Sequence, residues 1–103
     1  MSTNKQIRLL DDLQVLLEKQ IGLAKAGNLS KFEVLGEQAG FLVEKIAQTG
    51  ILELPEFENR RGQLQKLYDG LCLAITAQRA DVSEKLSRIH KGKKTIQTYR
   101  SNI

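Results

Sequence analysis

Leucine, isoleucine and alanine recur along the first half of the chain at intervals of three and four residues, the spacing of one helix face. Residues 4–26 carry one such stripe, and Gly27 follows it as a residue that readily ends a helix. Residues 30–49 carry a second stripe, which stops before Gly50. The pattern predicts two helices whose short connection makes them an antiparallel hairpin.

The third predicted helix is much longer than the first two. It begins at Pro55, a residue that the first turn of a helix tolerates, and no second proline interrupts its heptad-like seam. We predict one helix over about residues 55–99, with Gly70 and Gly92 as its weak points. The predicted fold is all-α: a single domain in which an antiparallel helical hairpin packs on a long C-terminal third helix, as a three-helix bundle.

The lengths of these predicted helices do not match. At 1.5 Å per residue the third helix spans roughly 65 Å and each hairpin helix about 30–35 Å, so the hairpin covers only about half of it. The apolar side chains beyond that reach are Val82, Leu86, Ile89, Ile96 and Tyr99. Burying them would contribute about 1.5–3 kcal/mol each. An exposed apolar stripe of this size usually marks a binding surface, so these five residues are the predicted site for a partner protein.

Composition agrees with a helical, soluble protein. The 103 residues are 41% hydrophobic, 27% charged and only 5% aromatic, which suits one helical domain better than a β-sandwich. Cys72 is the only cysteine, so no intramolecular disulfide can form and a reducing compartment is expected. The opening residues do not resemble a secretory signal, and no apolar run is long enough to cross a bilayer. We therefore expect a cytoplasmic protein without membrane insertion.

The positive charge lies near the C-terminal end of the sequence. Residues 79–103 carry seven basic and two acidic side chains, a net charge of +5, whereas the whole chain carries +4. The basic residues that we expect to steer an acidic partner are Arg88, Lys91, Lys93 and Lys94. Tyr99 is the only aromatic residue there that could stack on a base, so nucleic-acid binding is not expected.

Candidate catalytic and metal-binding residues are sparse. His90, the only histidine, has basic neighbours that disfavour a bound cation, and Cys72 lies in an apolar helical run typical of a small core residue. A small helical enzyme of the chorismate-mutase type would need several cationic side chains around one anion pocket. The candidates are Arg60, Arg61, Lys66 and Arg79, and their spacing does not bring them together with Arg8. We predict no enzyme, no cofactor and no metal.

Two glycines in the second predicted helix have the spacing of a helix-packing motif. Gly36 and Gly40 are four residues apart with Ala39 between them, which allows another helix to approach closely. Because Glu37 and Glu44 lie in the same segment, we interpret the pair as a close contact inside the bundle rather than as a membrane motif.

The order of these features resembles the flagellar export chaperones of the FlgN type. The resemblance rests on the leucine-rich first helix, the Lys-Ala-Gly-Asn-Leu-Ser-Lys-Phe segment at residues 25–32, and Leu54-Pro55 before a long helix. It also rests on residues 86–99, a basic segment that contains a glycine and ends on Ile96 and Tyr99.

This resemblance implies a binding protein of the flagellar type III export system. Such chaperones hold hook-associated subunits, those of the junction or cap, in the cytosol and deliver them to the export apparatus. The predicted client would fold as a helix against the apolar stripe of the third helix. The alternative is a homodimeric structural or adaptor protein that uses the same stripe and has no export client.

Overall fold

A computed structural model describes residues 3–78 and 83–101, with side chains at 4–78 and 85–96, and the regular structure there is entirely helical. In chain order its α-helices are α1 (Thr3–Lys25), α2 (Leu29–Thr49), α3 (Glu58–Thr76) and α4 (Ser83–Ser101). Two single 3-10 turns, Ile51–Glu53 and Pro55–Phe57, connect α2 to α3. These four helices pack together, which confirms the all-α prediction.

The connection between α1 and α2 is a tight turn. Gly27 adopts φ = 76°, a left-handed conformation that other residues rarely take. The Asn28 side-chain oxygen accepts a hydrogen bond from the backbone N–H of Lys31 at 3.3 Å and so caps α2. Near the turn, the Gln20 side chain of α1 donates a hydrogen bond to the Phe32 carbonyl of α2 at 3.0 Å. This buried bond ties the two helices together.

The connection between α2 and α3 lies against the core. Gly50 ends α2 with φ = 69°, and Ile51 and Leu52 then turn their side chains inward and are buried. Arg61 of α3 is only 2% exposed, and its Nη1 donates to the Leu52 carbonyl at 2.5 Å. This bond satisfies a buried backbone acceptor in a connection that contains only short 3-10 turns.

The described chain has two helices where the sequence predicted one over residues 55–99. α3 ends at Thr76, whose hydroxyl donates back to the Cys72 carbonyl at 2.6 Å, and α4 begins at Ser83. The longest dimension of the molecule is 40 Å, too short for a straight helix of roughly 65 Å. α4 instead folds back along α3, and Lys93 of α4 forms an ion pair with Asp69 of α3.

Burial of apolar surface explains the break. A continuous helix would leave Ile89 and Ile96 in water, and each contributes about 1.5–3 kcal/mol when buried. Interrupting the helix removes a few backbone hydrogen bonds, whose net value is about 0.5–1.5 kcal/mol each and which water partly replaces. By folding back, α4 also helps to cover Tyr68 of α3. Ile89 and Ile96 are therefore covered by the same chain.

Around the bundle the helices follow the order α1, α2, α4, α3, and α4 packs more extensively on α3 than on α2. α2 and α4 run in the same direction, as the ion pair between Lys85 and Glu33 shows, since it lies near the start of both helices. The turn Ile51–Glu53, which follows the end of α2, also contacts α4. The sparse contact between α2 and α4 is the feature that creates the candidate site.

Candidate functional site

The three described side chains of the predicted client-binding stripe are buried or half-buried. Ile96 is fully buried, Ile89 is 6% exposed and Leu86 is half-buried against the core, so the expectation of a solvent-facing stripe is corrected. The reason is the return of α4 onto α3 described above. Val82 lies outside the described residues, and so does the side chain of Tyr99.

The backbone of α4 at Gly92 lies close to the ring of Tyr68 on α3, and this contact fixes α4 on α3. A Cβ atom at Gly92 would lie 2.9–3.0 Å from the ring and hydroxyl of Tyr68, so the helices approach this closely only because the residue is glycine. Tyr68 is itself buried, and loss of hydration there raises the pKa of its phenol far above the ordinary value.

An open groove of about 290 Å³ lies between α2 and α4. The apolar side chains that line it are Phe32, Ala39, Val43, Tyr68, Leu71 and Ile89. We call this feature the α2–α4 groove. Since these six side chains belong to the hydrophobic core, the groove opens onto the core.

The glycine pair of α2 lines this groove, and only Gly36 makes the close contact inside the bundle that the sequence predicted. A Cβ atom at Gly36 would lie 3.0 Å from the Gln20 side chain of α1, whereas one at Gly40 would meet nothing within 4 Å. The absence of side chains at these two positions keeps the α2 side of the groove open. Phe41, 67% exposed, borders the groove and was not singled out from the sequence.

The four predicted steering residues separate into different environments. Arg88 and Lys91 line the groove, whereas Lys93 pairs with Asp69 and Lys94 lies exposed on α4. The hydrogen bond to Asp69 raises the pKa of the Lys93 ammonium. Only the first two are therefore positioned to meet a molecule in the groove.

Two of the cations that an enzyme of the mutase type would need have partners within the bundle. Arg60 pairs with Asp11 of α1, Nη2 to Oδ1 at 2.6 Å, while Arg61 points to the Leu52 carbonyl. Arg79 lies outside the described residues. Sequence reasoning missed the burial of Arg61, since charged side chains are rarely buried and nothing in the pattern marks this one.

The remaining reactive side chains are isolated from one another. Cys72 is half-buried, and burial raises the pKa of its thiol, while His90 is exposed on α4. Among residues 3–78 and 83–101 there is no cluster of three or more histidine, cysteine, aspartate or glutamate side chains that could hold a metal ion. None of the helices, over the part of the chain described, is long and apolar enough to cross a membrane.

Comparison with known proteins adds no relative. Neither protein-family models, nor curated proteins, nor solved structures give a match to this chain. The interpretation of the groove therefore rests on its own geometry.

Proposed function

We propose that the chain is a flagellar type III export chaperone that binds a helical segment of a hook-associated subunit in the α2–α4 groove. The observation that carries this proposal is the opening onto the apolar core between α2 and α4. An apolar opening of this kind is a binding site for an apolar surface of a partner. The proposal assigns binding in the cytosol and no chemical step to the chain.

The position and lining of the groove support a helical ligand that inserts side chains. The groove lies open between two helices that run in the same direction, and core side chains such as Leu71 and Ile89 form its apolar lining. A helix lying along the groove can direct its own apolar side chains onto that lining. This is helix-in-groove recognition, in which side chains three and four residues apart provide the anchors.

In this proposal the client contacts the groove rather than an exposed stripe. Ile89 provides apolar surface on the α4 side, and Arg88 and Lys91 flank the opening. A client segment that is disordered when free must become ordered on binding, which offsets part of the burial. The resulting moderate affinity suits a chaperone that has to release its client.

The experiment fills the groove without disturbing the fold. Gly40→Leu places a side chain in the opening, where a Cβ atom meets nothing within 4 Å. Gly22→Leu is the matched control, because Gly22 is also helical, exposed and free of neighbours within 4 Å but does not line the groove. Both changes favour the helix by a similar amount.

Binding of purified junction and cap subunits is measured by isothermal titration calorimetry. We expect Gly40→Leu to weaken binding at least about tenfold, or about 1.4 kcal/mol, while Gly22→Leu leaves it unchanged. Equal binding by both variants would place the client elsewhere on the molecule. Failure of the unmodified chain to bind any of these subunits would contradict the chaperone function itself.

One observation favours the alternative of a homodimeric structural protein. Phe41 and Val15 are both strongly exposed and line a shallow apolar depression on the α1–α2 face. Apolar surface of this kind can pair with a second copy of the chain. Sedimentation velocity of the chain alone decides this: a monomer at micromolar concentration supports the client-binding proposal, and a dimer abolished by Phe41→Ser supports the alternative.

A further inference from the structure

The two sides of the α2–α4 groove carry opposite charges. The acidic wall, on α2, consists of Glu33, Glu37 and Glu44. The basic wall, on α4, consists of Lys85, Arg88 and Lys91. Lys85 and Glu33 pair across the groove, Nζ to Oε1 at 3.2 Å, at the end where both helices begin.

The other four charges remain available to a ligand. Among the side chains that the structure describes, at 4–78 and 85–96, no ion pair or hydrogen bond involves Glu37, Glu44, Arg88 or Lys91. All four are exposed, and the walls that they form lie on either side of the apolar lining. A helix in the groove therefore has acidic groups along one flank and basic groups along the other.

We propose that the groove selects an amphipathic helix that carries basic side chains on one flank of its apolar face and acidic side chains on the other. The inference also assigns the direction in which that helix lies, and it rests on the proposed function. The basic flank faces the acidic wall of α2, and the acidic flank faces the basic wall of α4.

Direction follows from geometry. A helix whose apolar face points into the groove can lie in two opposite directions, and reversing it exchanges the flanks that face α2 and α4. A ligand with two different flanks thus matches the walls in only one direction, and the reverse direction places like charges opposite each other at both walls. A helix with the same charge on both flanks meets one repulsive wall in either direction. We expect it to bind about tenfold more weakly at low ionic strength, and about equally at 1 M salt, where screening is strong.

Two synthetic peptides of identical composition test the inference. Both are amphipathic helices with leucine anchors. One has glutamate on the left flank and lysine on the right, and the other has these residues exchanged. Each carries a nitroxide label at its N-terminus and is added to the full-length chain labelled with ¹⁵N. Paramagnetic broadening of backbone amides then reports which end of the groove lies near the peptide N-terminus, the end at Glu33 or the end at Glu44.

We expect the two peptides to broaden opposite ends of the groove. The variant Glu37→Lys/Glu44→Lys/Arg88→Glu/Lys91→Glu, in which the unpaired wall charges are exchanged, should reverse both assignments. If both peptides bind but broaden the same end, or both ends equally, the charge rule is wrong and the groove remains a helix-binding site. If neither peptide binds, the proposed function fails and the inference fails with it.

Discussion

α2 meets its two neighbours through different kinds of surface. Towards α1 the contact is continuous: Leu13 and Leu17 are fully buried, and the bond from Gln20 to the Phe32 carbonyl crosses the interface. Towards α4 the same helix presents Gly36, Gly40 and glutamates, and the contact is sparse. Large apolar side chains that face each other close an interface, whereas glycines, which have no side chain to fill the space, leave it open.

This difference separates stability from recognition within one small bundle. The closed α1–α2 interface holds the hairpin together, and loss of a side chain there leaves a cavity that the surroundings cannot fill. The open α2–α4 interface has unfilled space already, so substitutions there should affect binding more than folding. Three comparisons, arranged by the size of the expected effect, can break or sharpen this distinction.

The largest effect compares Leu17→Ala with Ile89→Ala. Leu17 is fully buried in the hairpin, so we expect its truncation to reduce the free energy of unfolding by about 2–5 kcal/mol. Ile89 borders a groove that is already open, so its truncation leaves a smaller new cavity and about 1–2 kcal/mol is expected there. Urea denaturation followed by circular dichroism measures both. Equal losses would mean that α4 is packed as tightly as the hairpin.

The second comparison uses two helical glycines. At Gly92 an added Cβ would lie 2.9–3.0 Å from Tyr68, whereas at Gly62 it would meet nothing within 4 Å. Gly62→Ala should stabilise the chain by up to about 1 kcal/mol through helix propensity. Gly92→Ala gains the same propensity but must push α4 away from α3, so a net loss of about 1 kcal/mol is expected.

Amide hydrogen exchange shows which helix the Gly92→Ala substitution destabilises. In Gly92→Ala we expect the amides of α4 to exchange faster while those of α1 and α2 keep their protection, because only the contact between α3 and α4 is strained. A gain in stability for both variants would show that Tyr68 moves aside freely and that the close approach does not fix α4.

The hairpin is the part of the fold that the sequence predicts well, for a physical reason. Its two helices have regular apolar seams, and glycines that adopt positive φ follow them at Gly27 and Gly50. Each signal is local, so periodicity and turn chemistry suffice to find it. The break after Thr76 has no such signal, since residues 76–83 contain neither glycine nor proline. It depends on burial of Ile89 and Ile96 against distant residues, which a local pattern cannot represent.

The candidate site was predictable only in part. Ile89, Arg88 and Lys91 were singled out from the sequence and do line the groove, although Ile89 and Ile96 of the predicted exposed stripe are buried. The role of Gly36 and Gly40 depends on how far away α4 lies, because the same spacing serves a close contact or an open groove. The opposing walls come from helices about fifty residues apart in the sequence, and only the tertiary fold brings them together.

The smallest effect compares two ion pairs, one across the open α2–α4 interface and one between α1 and α3. Lys85 and Glu33 join α4 to α2 at 3.2 Å, and Arg60 and Asp11 join α3 to α1 at 2.6 Å. Both pairs are partly exposed, so Lys85→Gln and Arg60→Gln should each reduce the free energy of unfolding by less than about 1 kcal/mol. The two changes should differ in hydrogen exchange. Because few other contacts hold α4 to α2, Lys85→Gln should speed exchange in the first turns of α4, whereas Arg60→Gln should leave that helix unchanged. Equal protection of α4 in both variants would mean that its packing on α3 alone determines its position, and that the groove is as rigid as the hairpin.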